Sequence, residues 1–213
     1  MKNELQNDIT MKRIFVIAVA AMMVTLSAKA QYEEGDFTIQ PRVGISMSNM
    51  TNWWDDAKMK TSVAFGMEFE RFFNDKFSVA AGLLYTNQGA KWDDEDGKYT
   101  MHLHYGLIPI TANYYVLPGL ALKAGIQPGF RVKAGVNVDG TKIDFDKFLD
   151  TMYPNKEVKM STFDFAIPVG LSYELYHITL DARFNIGLTK LITGIDESVR
   201  NQVIVITLGY KFN

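Results

Sequence analysis

The sequence predicts an all-β chain, an eight-stranded antiparallel up-and-down transmembrane β-barrel preceded by a cleaved signal peptide. Three observations carry that expectation: the pattern of the last strand, the alternation of long and short connections, and the composition of the first thirty residues. In the segment 203–212, Ile204, Ile206, Leu208, Tyr210 and Phe212 share one face and Val205, Thr207, Gly209 and Lys211 the other. About ten residues at roughly 3.3 Å each, tilted by about 40°, span roughly 25 Å, the height of the apolar band of a membrane barrel.

Residues 1–10 are polar and stand ahead of a second methionine, Met11, as an upstream extension. From Met11 the chain has the three parts of a secretory signal: basic Lys12 and Arg13, an apolar stretch Ile14–Leu26, and the small-x-small site Ala28-Lys29-Ala30. The apolar stretch is shorter than the roughly twenty residues a spanning helix needs, so it reads as cleaved. The mature chain then begins at Gln31, and 31–213 forms one barrel domain.

Period-two alternation marks strands near 37–47, 61–72, 77–88, 101–116, 120–133, 162–174, 177–189 and 203–212. In the first, Phe37, Ile39, Val43 and Ile45 oppose Gln40, Arg42, Gly44 and Ser46; in the second, Val63, Phe65, Met67 and Phe69 oppose Ala64, Gly66, Glu68 and Glu70. The third sets Phe77, Val79, Ala81, Leu83 and Tyr85 against Ser78, Ala80, Gly82, Thr86 and Gln88, and the fifth sets Leu122, Ala124 and Ile126 against Lys123, Gly125 and Gln127. The sixth and seventh follow suit, Phe165, Ile167 and Val169 opposing Asp164, Ala166 and Gly170, and Leu180, Ala182 and Phe184 opposing Asp181, Arg183 and Asn185. Only the fourth breaks the rule: Met101, Leu103, Tyr105 and Leu107 lie in one phase and Ile108, Ile110, Ala112, Tyr114 and Val116 in the other, which predicts a bulge near Gly106–Pro109. Connections 48–60, 89–100, 134–161 and 190–202 are long and 73–76, 117–119 and 175–177 short, the asymmetry of extracellular loops and periplasmic turns in an outer-membrane barrel. Eight strands enclose a lumen that side chains fill.

Composition excludes several functions. The formal net charge of −2 argues against nucleic acid, and the absence of cysteine removes disulfides, thiolate nucleophiles and sulfur metal sites.

The chain resembles the PorT-like, or porin-family, outer membrane β-barrel domain proteins of Bacteroidota. The residues that carry the resemblance are Tyr105-Gly106-Leu107-Ile108-Pro109-Ile110 with Asn113-Tyr114-Tyr115, then Gly119-Leu120 and Ala124–Phe130, and the block Phe165–Tyr173 leading to Asp181–Leu188. The resemblance covers nearly all of the mature chain. It implies fold and outer-membrane location, with lipid as the surrounding partner and the barrel assembly machinery as the reader of the terminal strand. An aromatic, Phe212, ends that strand and is followed by Asn213.

Arg42, Glu68, Glu70, Lys123, Arg131, Asp164, Glu174, Asp181 and Arg183 fall on the polar face and are read as a salt-bridge network filling the lumen, because an unpaired buried charge is costly. Glu68 and Glu70 also have the spacing of an acid–base pair, but nothing else supports hydrolysis, and the histidines at 102, 104 and 177 give no catalytic pairing. His102-Leu103-His104 lacks a third metal ligand, and in Asp93–Gly97 Trp92 stands where a calcium loop has its first Asp, so neither metal nor cofactor is expected. Trp53, Trp54 and Trp92 sit beside acids in long loops, as an interface girdle or as anchors for a ligand or protein partner. Phe145, Phe148, Leu149, Met152 and Tyr153 lie at helical spacing from Asp144, predicting a short amphipathic helix over the barrel mouth with Phe148 and Tyr153 as further contact candidates. The expected role is non-enzymatic: structural, or binding through the extracellular loops. A secretion-machinery accessory and a secreted lipocalin-like carrier of an apolar ligand are the alternatives.

Overall fold

The computed structural model describes residues 32–51, 58–94, 97–152, 154, 158–194 and 197–213; the expected upstream extension and signal peptide lie outside them. Thirteen strands run in chain order: β1 Phe37–Thr51, β2 Lys58–Asn74, β3 Phe77–Gln88, β4 Ala90–Asp94, β5 Gly97–Leu107, β6 Ile110–Leu117, β7 Leu120–Val138, β8 Thr141–Asp144, β9 Lys159–Met160, β10 Phe163–Leu175, β11 Ile178–Gly187, β12 Ile192–Thr193 and β13 Arg200–Tyr210. Among the described residues one helix, α1, spans Phe145–Met152, and the strand count likewise refers to those residues.

Pairing is antiparallel throughout and closes on itself. β1 pairs β2, β2 pairs β3, β3 pairs β5 and β6, both of these pair β7, and the ladder continues through β10, β11 and β13 back to β1. Closure removes the free edge that an open sheet would expose to lipid.

The count differs from the eight strands expected, for two physical reasons. Proline cannot donate to a ladder, so the fourth expected strand parts at Ile108-Pro109 into β5 and β6. The sheet stays continuous across the break, with Gly82 N–H donating to the Pro109 carbonyl and Ile108 N–H to the Pro128 carbonyl, both at 2.9 Å. The other additions are short: β4 and β8 extend hairpins beyond the ring, and β9 pairs β12, all in stretches expected as loops.

The expected bulge near Gly106–Pro109 is also corrected. Met101, Leu103, Tyr105, Leu107, Thr111, Asn113 and Tyr115 are all buried on the inner face, so the inner face never changes along β5 and β6. What changes is chemistry: the inner face is apolar in β5 and polar in β6. The bulge lies in β7, where His104 faces Lys133 and Tyr105 faces Arg131, leaving Val132 as the extra residue, 75% exposed.

Apolar side chains point outward around the ring. Val43, Val63, Leu83, Ile126, Leu171, Leu180 and Leu208 are exposed on successive strands. Aromatic pairs border this band at both ends. At the short-turn end Phe73 packs near Phe77 and Tyr210 near Phe212, with centroids 5.9 and 4.7 Å apart. At the long-loop end Phe65 meets Tyr85 at 4.9 Å and Phe130 meets Phe163 at 5.5 Å. An outward apolar band between aromatic girdles is the surface that lipid requires.

A narrow barrel bends its strands sharply, and glycine permits the bend at Gly44 and Gly125. A Cβ on Gly44 would overlap the Ile206 carbonyl oxygen, and one on Gly125 the Ile110 carbonyl oxygen. Ile126, 46% exposed and centred on the outward face of β7, tests the lipid assignment. Arginine there is expected to cost about 2–4 kcal/mol in phospholipid vesicles, read as a lower urea midpoint of the folded gel band.

Candidate functional site

The lumen is built in three tiers. Alternation sends one residue in two inward, so each tier collects side chains from strands on opposite sides of the ring.

The middle tier joins β1, β2, β7 and β11. Lys123 Nζ donates to Glu68 Oε1 at 2.8 Å and to Asp181 Oδ2 at 3.0 Å. Arg183 meets Glu68 Oε2 at 2.5 Å and Asp181 Oδ1 at 2.7 Å. Arg42 reaches Glu68 Oε1 at 3.0 Å and Asp181 Oδ1 at 3.7 Å, and also donates to Gln40 Oε1 at 3.1 Å. All five charged side chains are nearly inaccessible to solvent. Three cations share two carboxylates, an excess of one positive charge.

The lower tier, at the short-turn end, reverses that balance. Lys211 Nζ lies 2.8 Å from both Glu70 Oε2 and Glu174 Oε2 and 3.1 Å from the Tyr115 hydroxyl. Glu70 Oε1 accepts from Asn113 Nδ2 at 2.8 Å, from the Tyr115 hydroxyl at 2.9 Å and from the Ser78 hydroxyl. Tyr32 closes the floor, its hydroxyl donating to Glu174 Oε1 at 2.6 Å and its ring stacked on Phe72 at 3.9 Å. Lys211 Nζ sits 5.0 Å from the Tyr32 ring centroid and 5.4 Å from that of Phe72, a cation held over aromatic faces. Burial pushes the Tyr32 phenol well above its ordinary range, against the pull of Lys211, so the hydroxyl stays a donor. One cation faces two carboxylates here, and only the two tiers together are neutral.

The upper tier is apolar. Met101, Leu103, Tyr105, Leu107 and Val136 from the wall meet Phe145, Phe148 and Leu149 of α1 and Leu191, Ile192 and Val199 beyond β11. Asp144 caps α1, its Oδ1 accepting from the Asp146 N–H at 3.0 Å, which turns the apolar face of the helix into the mouth. Trp92 belongs to this tier, 3% exposed and stacked on Tyr99 at 5.2 Å.

The nine charges expected in one network divide. Arg42, Glu68, Lys123, Asp181 and Arg183 meet in the middle tier, and Glu70 and Glu174 in the lower. Arg131 and Asp164 join neither: Arg131 donates to the carbonyls of Met160 and Ser161 at 3.1 and 3.2 Å, and Asp164 accepts from Thr189 at 2.5 Å and Asn201 at 3.3 Å. Of the loop contact candidates, Trp92 and Phe148 are buried in the mouth, unavailable to a ligand, because the upper lumen needs apolar filling. Trp53, Trp54 and Tyr153 lie outside the described residues, as do Glu95 and Asp96 of the acidic loop. Among the described residues no group of three His, Cys, Asp or Glu is placed to hold a metal. Lys211 and Tyr32 were not singled out, although the alternation already puts Lys211 on the polar face.

Removing one member of a buried ion cluster leaves its partners uncompensated. Glu68→Ala is therefore expected to cost about 3–5 kcal/mol, whereas Asp164→Asn, which breaks no ion pair and loses one of its two accepted hydrogen bonds, costs about 1 kcal/mol. The urea midpoint of the folded, fast-migrating band on unboiled gels measures both.

A family model described as outer membrane protein beta-barrel domain matches residues 29–193. No curated protein matches the chain. Among solved structures, Ail, the attachment invasion locus protein of Yersinia pestis, superposes with a TM-score of 0.51 at 16% identity, over 84% of this chain and 99% of that one. Ail in complex with the heparin analogue sucrose octasulfate gives 0.52 at 16% identity over the same shares. Neisserial surface protein A gives 0.50 at 12% identity, over 83% and 97%. These likenesses show a shared fold, and the family match decides membership. The chain belongs to the outer membrane protein beta-barrel domain family.

Proposed function

We infer that this protein is a non-enzymatic outer-membrane scaffold whose eight staves hold a sealed lumen and whose long-loop end, facing the cell exterior, does the binding. The observation that carries the reading is the filling of the lumen: an ion cluster at mid-height, an aromatic floor beneath it and an apolar plug above. A barrel so filled offers a solute no path, and its charges are engaged with one another. The staves are β1, β2, β3, β5 with β6, β7, β10, β11 and β13, and delivery to the membrane follows from the signal at 11–30. A lipocalin-like carrier is the weaker reading, because a soluble carrier hides its apolar face inside, and here Leu83, Leu122 and Val43 point out. The Tyr105–Ile110 and Phe165–Tyr173 segments support placement among PorT-like barrels of Bacteroidota, which keeps a secretion-accessory role as the second reading. That Ail was solved with a heparin analogue supports a search for ligands at the loop end.

Two measurements test this reading. Purified protein in a planar bilayer is expected to give no resolvable conductance steps; steady ohmic openings would overturn the sealed lumen. An epitope inserted at the exposed hairpin tip Asp139-Gly140 is expected to bind antibody on intact cells, and one at Asp75-Lys76 only after permeabilisation. The opposite pattern would invert the orientation.

A further inference from the structure

Outside the barrel, at the upper edge of its apolar band, lies a groove of about 500 Å³ whose lining includes Asn87, His102, His104, Lys133, Lys142 and Asp144. It opens between β3, β5, β7 and the β8 hairpin. Toward the short-turn end the outward faces of these strands meet lipid, with half-buried Tyr85 on β3 and exposed Ile108 beyond β5 and Val132 and Phe130 on β7. The groove therefore stands where lipid tails end and headgroups begin.

Its chemistry is cationic and rich in donors. Among the described residues, Lys133 and Lys142 line it against one carboxylate, Asp144. Lys60 is fixed from behind, donating to Asn87 Oδ1 at 2.6 Å and to the Gln88 carbonyl at 2.8 Å. That bond orients the Asn87 amide, so its Nδ2 is the group that lies 3.4 Å from His102 Nδ1. His102 Nδ1 accepts, and the ring proton resides on Nε2, a donor left for a ligand. His104 Nδ1 is held by the Tyr85 hydroxyl at 2.5 Å. The His102 ring thus presents an N–H donor beside the ammonium groups of Lys133 and Lys142.

We propose that this groove binds the phosphate of a membrane lipid whose tails lie against Tyr85, Ile108, Val132 and Phe130. Lysine ammonium groups with N–H donors suit a phosphate oxygen set. The adjoining lipid-facing surface, continuous with the groove, favours an amphiphile over a soluble anion.

The test uses the full mature chain in nanodiscs of phosphatidylcholine, with and without phosphatidic acid. An anion in the groove opposes the lysine field, so the His102 titration followed by ring-proton NMR is expected to rise by about one pH unit or more when phosphatidic acid is present. Lys133→Gln combined with Lys142→Gln is expected to weaken phosphatidic acid binding about tenfold, with the heat-modifiable gel shift retained as proof of folding. An unchanged His102 titration, or unchanged affinity in the double variant, would overturn the proposal. So would glycerol 3-phosphate binding as tightly as phosphatidic acid, since the site would then be for a soluble phosphate ester.

Discussion

Closure of the ring by β1 and β13 is the constraint on which the rest depends. The two strands pair from Arg42 with Gly209 to Thr51 with Arg200, and Ile39 and Phe212 exchange both backbone hydrogen bonds at 2.9 Å. In hydrocarbon each unsatisfied backbone group costs several kcal/mol, so a sheet with an open seam has no stable place in the bilayer. Once the ring is closed, every strand has one face to lipid and one to the lumen. The outer face must then be apolar, and the inner face must be filled.

How the lumen is filled explains why its charges are tolerated. Buried ions are held at an acceptable cost when each carboxylate meets several donors. Glu68 is engaged by Arg42, Lys123 and Arg183, and Asp181 by the same three. Because those residues come from β1, β2, β7 and β11, the cluster also ties opposite walls together. The apolar upper tier acts in the other direction, binding α1 and the segments after β11 into the mouth through burial alone.

Much of this was legible in the chain. Alternation alone assigns the outward faces of β1, β2, β3, β10, β11 and β13, and of β7 up to its bulge at Val132, since lipid imposes a one-sided pattern along a strand. The fourth stave misled for a definite reason: an apolar residue there serves either lipid or plug, and period two cannot tell which. Met101, Leu103 and Leu107 are inner residues with outer chemistry, and that ambiguity turned a change of environment into an apparent change of phase. Trp92 and Phe148 misled likewise, being buried mouth residues in stretches that look like surface loops. The membership of the ion clusters was legible only as a list, because pairing depends on the height of each residue in the barrel. Arg131 and Asp164 share the face of Glu68 but stand at a level where carbonyls, Thr189 and Asn201 satisfy them.

Lys211 gives the lower tier a bearing on biogenesis. It directly follows β13 and is the only cation among the described residues in ion-pair contact with Glu70 or Glu174. Until the final strand arrives, those two carboxylates share a floor without a counter-charge and hold water there. Desolvation of the floor therefore waits for β13 to pair and bring Lys211 in. A single ammonium group thus makes docking of the closing strand a condition for drying the barrel.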